Sequence, residues 1–317
     1  MVAYNQLTVL ESPRHQVATR ATTGKAVKVV NKKNEPAITL SGRHFSVQFD
    51  RKTGFMTQYV ADGKNLLAAG GSLKPNFWRA VNDNDMGAGV QRKYAVWRNP
   101  ALNLVSLTVN NKLKSVRAEY DMPDVKARLV LNYVVRPDGS IDVTEQLTAD
   151  KSADVPPMFR FGMVMQLPYQ MDNSEFYGRG PIENYADRKS SQTMGIYRLT
   201  ADEQFFPYIR PQETGTKSDM RWWNQTDRTG EGLRVMADAP FYASALHYDI
   251  QTLDEGMDKA QRHSPDVKKS AFTNLYIDLE HAGVGGVNSW DMNAIALPQY
   301  RVNYGDKTFN FTLSPVR

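Results

Sequence analysis

Three segments of this sequence combine tryptophan, asparagine, aspartate, arginine and glycine where a sheet protein ordinarily carries plain turns. They are NFWRAVNDNDMGAG (76–89), YGRGPIENYADRKSS (177–191) and HAGVGGVNSW (281–290). One face of a pyranose is a patch of C–H groups that stacks on an aromatic ring, while its hydroxyls need fixed hydrogen-bond partners. The composition of these segments therefore indicates sugar binding.

The same residue types also have a purely structural interpretation. Asn82 and Asp85 are residues that cap their own turns, and Arg79 or Arg179 can pair with such side chains to hold a long loop. This interpretation fits the first two segments better. Trp290 is different, because it follows a glycine-rich, polar run that is unsuited to a strand interior. We therefore expect Trp290 at the tip of a loop.

A second aromatic platform is conceivable at Trp222-Trp223. Adjacent residues of a strand point to opposite faces of the sheet, so one of these two indoles is expected in the core.

Glycosidase chemistry within this chain would need two carboxyls about 5–9.5 Å apart across the scissile bond. The candidates are Asp85, Glu183, Asp187, Glu213 and Asp219. Sequence spacing brings no two of them together, so we expect no catalytic residue in this chain. An epimerase or mutarotase would need one acid and one base across a sugar ring, for which His281 or His247 could act with Glu183. A structural histidine is the commoner outcome.

Composition excludes several other classes of protein. The 317 residues include no cysteine and only five histidines, without a close ligand pair, so no metal site is expected. The net charge of +5 lies entirely in residues 1–44, which hold seven basic and two acidic residues. Because residues 11–43 contain no aromatic residue, this charge fits a solvated linker better than a nucleic-acid arm.

Alternating apolar residues and turn dipeptides from residue 44 onward predict antiparallel sheet. Hairpins are expected at 45–59 and at 127–147, where Asp138-Gly139 supplies a tight turn. We expect another at 300–313, and the best helix candidate is 254–263. Many short strands with few helices indicate an all-β sandwich or barrel. No apolar run is long enough for a membrane helix and the N-terminus lacks a signal-peptide pattern, so the chain as given is expected to be soluble.

Four ordered motifs resemble the small-chain domain, the fifth and C-terminal one, of the lacZ-type β-galactosidases of glycoside hydrolase family 2. They are FWRAVNDND (77–85), GRGPIENYADR (178–188), RPQETGTKSDMRW (210–222) and GVGGVNSW (283–290). The resemblance covers about residue 42 to the end. The opening VAYNQL (2–7) resembles the last strand of a preceding immunoglobulin-like domain. Val81-Asn82 departs from the usual Pro-Thr.

The resemblance implies a large antiparallel β-supersandwich of galactose-mutarotase-like fold over residues 44–317, after a strand at 1–10 and a basic linker at 11–43. It implies a retaining enzyme whose catalytic glutamates lie on a TIM barrel that this chain lacks. Trp290 matches the aromatic residue that such a domain contributes to the rim of the substrate site, with Arg79, Asp85 and Glu183 as further candidates. Any magnesium or sodium ions of the complete enzyme would belong to its other domains.

These observations favour the substrate-rim and scaffolding part of a β-galactosidase, either a C-terminal domain or a separate small subunit. The expected partners are a β-galactoside and the remaining domains or large subunit, and a homo-oligomer is possible; neither nucleic acid nor membrane is expected. The alternatives are a free-standing carbohydrate-binding module and, less well supported, an aldose epimerase. The natural linkage and the compartment, bacterial cytoplasm or periplasm, stay open.

Overall fold

The computed structural model describes residues 6–7, 27–259 and 262–317. These residues form seventeen strands, all paired antiparallel. The strands are β1 (Lys28–Val30), β2 (Ala37–Ser41), β3 (Phe45–Asp50), β4 (Met56–Ala61), β5 (Lys64–Asn65), β6 (Leu73–Asn76), β7 (Asn103–Asn110), β8 (Ser115–Met122), β9 (Ala127–Val135), β10 (Ile141–Ala149), β11 (Arg160–Pro168), β12 (Asn173–Gly180), β13 (Thr193–Thr200), β14 (Lys217–Thr226), β15 (Gly232–Leu246), β16 (Phe272–His281) and β17 (Lys307–Val316).

Helices are short in the described part of the chain. The α-helices are α1 (Asp83–Ala88), α2 (Val90–Lys93), α3 (Ala201–Gln204) and α4 (Ile250–Leu253), and 3₁₀ turns occupy Ala95–Trp97, Pro123–Val125, Ser264–Asp266, Met292–Ala294 and Pro298–Tyr300. The predicted all-β antiparallel architecture is confirmed.

Two hairpins follow directly from the sequence pattern. Strand β3 alternates buried and half-buried residues, and its partner β4 places Tyr59 opposite Val47. Strands β9 and β10 pair over nine residues each around Asp138-Gly139, where Gly139 has φ +88° and Asp138 accepts a hydrogen bond from the Ser140 amide at 2.9 Å. Glycine tolerates that left-handed conformation without steric strain.

Strand β15, fifteen residues long, is the junction of the sheet. Strand β14 runs along one side of it, whereas β17 pairs with its first part and β16 with its last part. From β16 the sheet continues through β11, β6, β4, β3 and β2 to β1, and from β17 it continues through β10, β9 and β8 to β7. From β14 it continues through β12 to β13.

The two long arms of this sheet pack face to face around one hydrophobic core. Phe49 of β3 lies 4.9 Å from Tyr133 of β9, although their strands are not hydrogen-bonded to each other. The hydroxyl of buried Tyr59 donates to the carbonyl of Gly139 at 2.7 Å and so satisfies its polar end within the opposite arm. The layered arrangement is that of a β-sandwich.

The structure corrects three sequence expectations. Part of the predicted basic linker at 11–43 belongs to the sheet, because β1 and β2 pair with each other and β2 pairs with β3. The predicted helix at 254–263 is wrong for its described residues; the helix there is α4, which ends at Leu253, before Asp254. The predicted strand at 300–304 is a 3₁₀ turn followed by an isolated bridge between Val302 and Met158.

The predicted N-terminal strand at 1–10 lies outside the described residues except for Gln6 and Leu7. The side-chain amide of Gln6 donates to the Met194 carbonyl at 2.9 Å and accepts from its amide at 2.6 Å. No helix within the described ranges is long and apolar enough to cross a membrane.

Candidate functional site

Four segments that are distant in sequence meet beyond the ends of β6, β12 and β16 and before β14. Backbone hydrogen bonds join them: the Glu213 amide donates to the Ala80 carbonyl at 3.1 Å, and the Asn184 amide donates to the Thr216 carbonyl at 2.8 Å. The segments are 76–98, 181–192, 205–216 and 282–297. All four sequence motifs therefore contribute to one region of the molecule.

Arg79 lies at the centre of this region with 1% of its surface exposed. Its Nη2 donates to both carboxylate oxygens of Asp85 at 3.0 Å, and its Nη1 donates to the carbonyls of Ala282 and Gly283 at 3.1 Å. Its guanidinium also lies over the ring of Phe159 at 4.6 Å. The buried guanidinium of Arg79 thus fixes the segment that leads to Trp290, because hydrogen bonds from a charged donor are stronger than those between neutral groups.

Asn82 and Asp85 form the N-terminal cap of α1. Asn82 Oδ1 accepts from the Asp85 amide at 2.8 Å, and Asp85 Oδ2 accepts from the Asn82 amide at 3.0 Å. Asn82 Nδ2 also donates to the Val284 carbonyl at 2.9 Å. Asparagine is as good an N-cap residue as threonine, so Asn82 in place of the usual threonine still allows α1 to begin at Asp83.

Asp187 anchors the first part of the 282–297 segment. Its carboxylate accepts from the backbone amides of Val284 at 3.1 Å and Gly285 at 2.8 Å. A Cβ on Gly283 would lie 2.5 Å from Asp187 Oδ2, so the close approach requires glycine there.

Trp290 lies at the tip of this segment with 75% of its surface exposed. Its backbone amide donates to Asn288 Oδ1 at 3.2 Å, and Asp291 caps the following 3₁₀ turn by accepting from the Asn293 amide at 2.7 Å. The loop is closed by the Val287 amide, which donates to the Asn293 carbonyl at 2.7 Å. A bulky indole exposed to this degree on a closed loop is available to a ligand or another domain.

Helix α1 supports the tip from below. A Cβ built on Gly87 would lie 2.0 Å from the carbonyl oxygen of Ser289, and Ser289 Oγ donates to Asn84 Oδ1 at 3.1 Å. Segments 76–89 and 281–290 therefore contact each other directly.

Glu183 is held beneath the surface, with 6% of its side chain exposed. Oε2 accepts from the Gly215 amide at 2.7 Å and from Thr214 Oγ1 at 3.1 Å. Oε1 accepts from Arg188 at 2.6 Å and from the Tyr208 hydroxyl. Both oxygens are occupied by partners of this chain, so Glu183 orders the segment before β14.

A buried polar cluster lies behind these loops. Arg160 donates to Glu213 at 2.7 Å and to Asp278 at 3.3 Å, and His281 Nε2 lies 3.6 Å from Glu213. Burial raises the pKa of Asp278 to about 7, whereas burial and the neighbouring Arg160 lower the pKa of His281 to about 4. Burial disfavours the charge on Glu213, yet Arg160 holds the pKa of that carboxyl well below its usual range.

The sequence profile of the family described as β-galactosidase small chain matches residues 41–313. The chain belongs to this small-chain family. A β-galactosidase of Priestia megaterium is 30% identical over 289 residues, which are 89% of this chain and 27% of that protein. The β-galactosidase BgaC of Bifidobacterium adolescentis is 30% identical over 291 residues, 86% of this chain and 27% of that protein. The small-chain domain thus spans about a quarter of the length of the relatives it matches.

A solved galactose 1-epimerase of Lactobacillus acidophilus aligns with 91% of this chain and 98% of its own at 9% identity and a TM-score of 0.44. That likeness carries no information about the reaction. The groups that the sequence offers for an epimerase are buried here: His281 and His247 are each 2% exposed, and 6% of the Glu183 side chain is exposed.

The carboxylates suggested by the sequence are each engaged with partners of this chain. Asp85 pairs with Arg79, and Asp187 accepts from backbone amides. Glu183 pairs with Arg188, and Glu213 pairs with Arg160. Asp219 pairs with Arg179 and Lys189. His247 bonds to Asp202 at 3.0 Å rather than to Glu183. Within the described ranges no group of three His, Cys, Asp or Glu side chains could hold a metal ion.

The sequence predicts the burial of one indole of the Trp222-Trp223 pair but not the role of Asp187. Trp223 is fully buried and stacks on Phe176 at 4.7 Å, as expected for one member of the Trp222-Trp223 pair. The sequence offers Asp187 as a candidate acid or base, whereas in the structure it anchors the 282–297 segment. Its signal would have been the glycine-rich run 283–286, whose amides need an acceptor.

Proposed function

We propose that this chain is the substrate-rim and scaffolding part of a β-galactosidase of glycoside hydrolase family 2, corresponding to the fifth, C-terminal domain. The catalytic glutamates of this retaining enzyme would lie on a TIM barrel supplied by other domains or by a large subunit. The single observation that carries the proposal is the exposed indole of Trp290 on a loop fixed by Arg79, Asn82 and Asp187.

Trp290 would stack on the sugar or on its leaving group. Arg79, Asp85 and Glu183 would act without touching the sugar, because their side chains are buried and ion-paired within the chain. Rigid support matters here because a platform that is ordered before binding loses little entropy when the substrate arrives.

The test is the change of Trp290 to Ala in the complete enzyme. We expect KM for a disaccharide to rise by about three- to tenfold, since stacking of this kind contributes about 0.5–1.5 kcal/mol, while kcat changes less. Val287→Ala is the matched control, since Val287 is 77% exposed on the same loop. An unchanged KM in the Trp290 variant, or an equal rise in the control, would refute the stacking role.

The isolated chain is expected not to hydrolyse a nitrophenyl galactoside, because it lacks the barrel. Turnover by the isolated chain that is abolished by Glu183→Gln would show that the chain carries its own catalytic machinery and would overturn the proposal.

The same exposed indole also favours a second candidate, a free-standing carbohydrate-binding module. That function requires the isolated chain to bind galactosides with quenching of Trp290 fluorescence, and the quenching must disappear in Trp290→Ala.

A further inference from the structure

A cleft of about 210 Å³ opens on the outer face of three neighbouring strands, β6, β11 and β16. Cross-strand pairs bring its floor together: Lys74 lies opposite Val164, Val164 opposite Tyr276, and Gln166 opposite Asn274. The other face of the same strands, with Met163, Met165, Leu275 and Ile277, belongs to the hydrophobic core. Side chains alternate between the two faces of a sheet along each strand, so the side chains of the floor all lie on the same face.

The floor is covered more than an ordinary solvated sheet face would be. Asn274 is 1%, Tyr276 3% and Val164 7% exposed. The rest of the lining comes from the segment 97–102, from residues 249–251 and from Phe55. The result is a concave site that combines apolar surface with amide groups.

Several polar groups of this cleft have no partner among the residues that the structure describes. Asn76 Nδ2 is buried and makes no hydrogen bond, although Asn76 Oδ1 accepts from the Trp78 amide at 3.3 Å. The side chains of Lys74 and Gln166, both half-buried, are likewise without a bonded partner in the described ranges. Buried polar groups are normally hydrogen-bonded, so the unpaired Asn76 Nδ2 indicates a ligand. The half-buried amide of Gln166 and ammonium of Lys74 line the same cleft and are free to bond to that ligand.

The charges of the lining select the class of ligand. Arg98 is neutralised by Asp254, which accepts from its Nε at 3.1 Å. The remaining charges are one cation, Lys74, and one carboxylate, Asp249, so the cleft has no net charge. Amides recognise hydroxyl groups both as donors and as acceptors.

We propose that this cleft binds one ring of a neutral sugar, at a site separate from the Trp290 loop. The volume is below the range of about 300–1,000 Å³ that is usual for larger ligands, which suits a single ring rather than an oligosaccharide. Gln166, Asn76 and Lys74 would bond to its hydroxyls, and Val164 with Phe55 would contact its C–H groups.

The test is saturation-transfer NMR on the 317-residue chain with methyl β-D-galactoside and methyl β-D-glucoside, and with glucuronate as the anionic comparison. Gln166→Leu keeps the shape of the cleft and removes one amide, so we expect binding to weaken by about three- to tenfold. Lys74→Met is the second variant, since its ammonium has no partner whose loss would unfold the chain. Lys112→Met, whose side chain is exposed on the turn between β7 and β8, is the control and should bind as the unchanged chain does. Trp290→Ala shows whether the sugar is bound at the loop instead.

Weakened binding of the neutral sugars in both cleft variants, with the Lys112→Met control unaffected, supports the site. The proposal is overturned if no saturation transfer is seen, if Lys74→Met binds normally, if binding vanishes in Trp290→Ala, or if glucuronate binds more tightly than the neutral sugars. The outcome can be told apart from the kinetic test of Trp290, because that test measures KM of the complete enzyme, whereas this one measures how binding to the 317-residue chain depends on Gln166 and Lys74.

Discussion

Replacing Lys217 with methionine will remove a rise in stability that the protein shows between pH 7 and pH 9. Lys217 is 1% exposed on β14, and its Nζ donates to the Gly215 carbonyl at 2.8 Å and to Gln204 Oε1 at 3.1 Å. No carboxylate of the described residues pairs with it directly. Burial therefore lowers its pKa from 10.5 to about 7, against a weaker opposing effect of Glu183.

The sign of the effect follows from proton binding. Between about pH 7 and pH 10.5 the unfolded chain holds a proton on Lys217 that the folded chain has released, so stability rises with pH over this window. The full difference between the two pKa values corresponds to about 5 kcal/mol, and the part between pH 7 and pH 9 to about 3 kcal/mol. Below pH 7 the folded state carries the complete cost of the buried charge.

The measurement is the free energy of unfolding in urea at pH 6, 7, 8 and 9 for the unchanged chain, Lys217→Met and the control Lys112→Met, whose side chain is exposed. Methionine removes the side-chain donor to the Gly215 carbonyl and one of the two donors to Gln204 Oε1, which shifts the whole curve. The prediction concerns the difference between the unchanged chain and the variant, which should change by about 3 kcal/mol from pH 7 to pH 9. A difference that stays constant with pH would refute the reasoning, as would an equal slope change in the control.

Three further predictions concern the site region. Gly87→Ala adds a Cβ that would lie 2.0 Å from the Ser289 carbonyl oxygen, so the loop must move away and KM of the complete enzyme should rise, although alanine favours a helix by about 1 kcal/mol; crystal structures and kinetics of the variant would check this. Arg79→Met leaves Asp85 buried without its cation and should lower the free energy of unfolding by about 3–5 kcal/mol in urea titrations. Asp278→Asn should abolish a loss of stability as pH rises from about 4 to 7, because the raised pKa makes the folded state hold a proton that the unfolded state releases; melting temperatures from pH 4 to pH 8 would test it.

Local pattern predicted the hairpins well, because their information is contained in about twenty consecutive residues. Alternation and Asp138-Gly139 indicate the β9–β10 hairpin, and its register matches. The sequence does not predict strands β1 and β2, because the segment around them is rich in lysine and contains a proline. They form because β1 pairs with β2 and β2 pairs with β3. The predicted strand at 300–304 failed because Pro298 starts a 3₁₀ turn and only Val302 bridges to another segment.

The candidate site shows the complementary limit. The exposure of Trp290 could be inferred from its glycine-rich neighbours alone. Its anchors could not, because Arg79 and Asp187 reach the loop from 203 and 98 residues away, and no local pattern encodes such contacts. The composition of the three aromatic and glycine-rich segments likewise indicates a sugar ligand, but nothing in the sequence indicates the cleft on β6, β11 and β16.

The distance in sequence between the Trp290 loop and its supports has a consequence for biosynthesis. Arg79 and Asp187 leave the ribosome long before the loop they hold, so the loop can be ordered only after nearly all of the chain has emerged. Contacts of such long sequence separation form late, because loop closure must precede them. A chain that lacks either anchor, or in which the anchors have not yet folded, therefore cannot hold the Trp290 indole in this position.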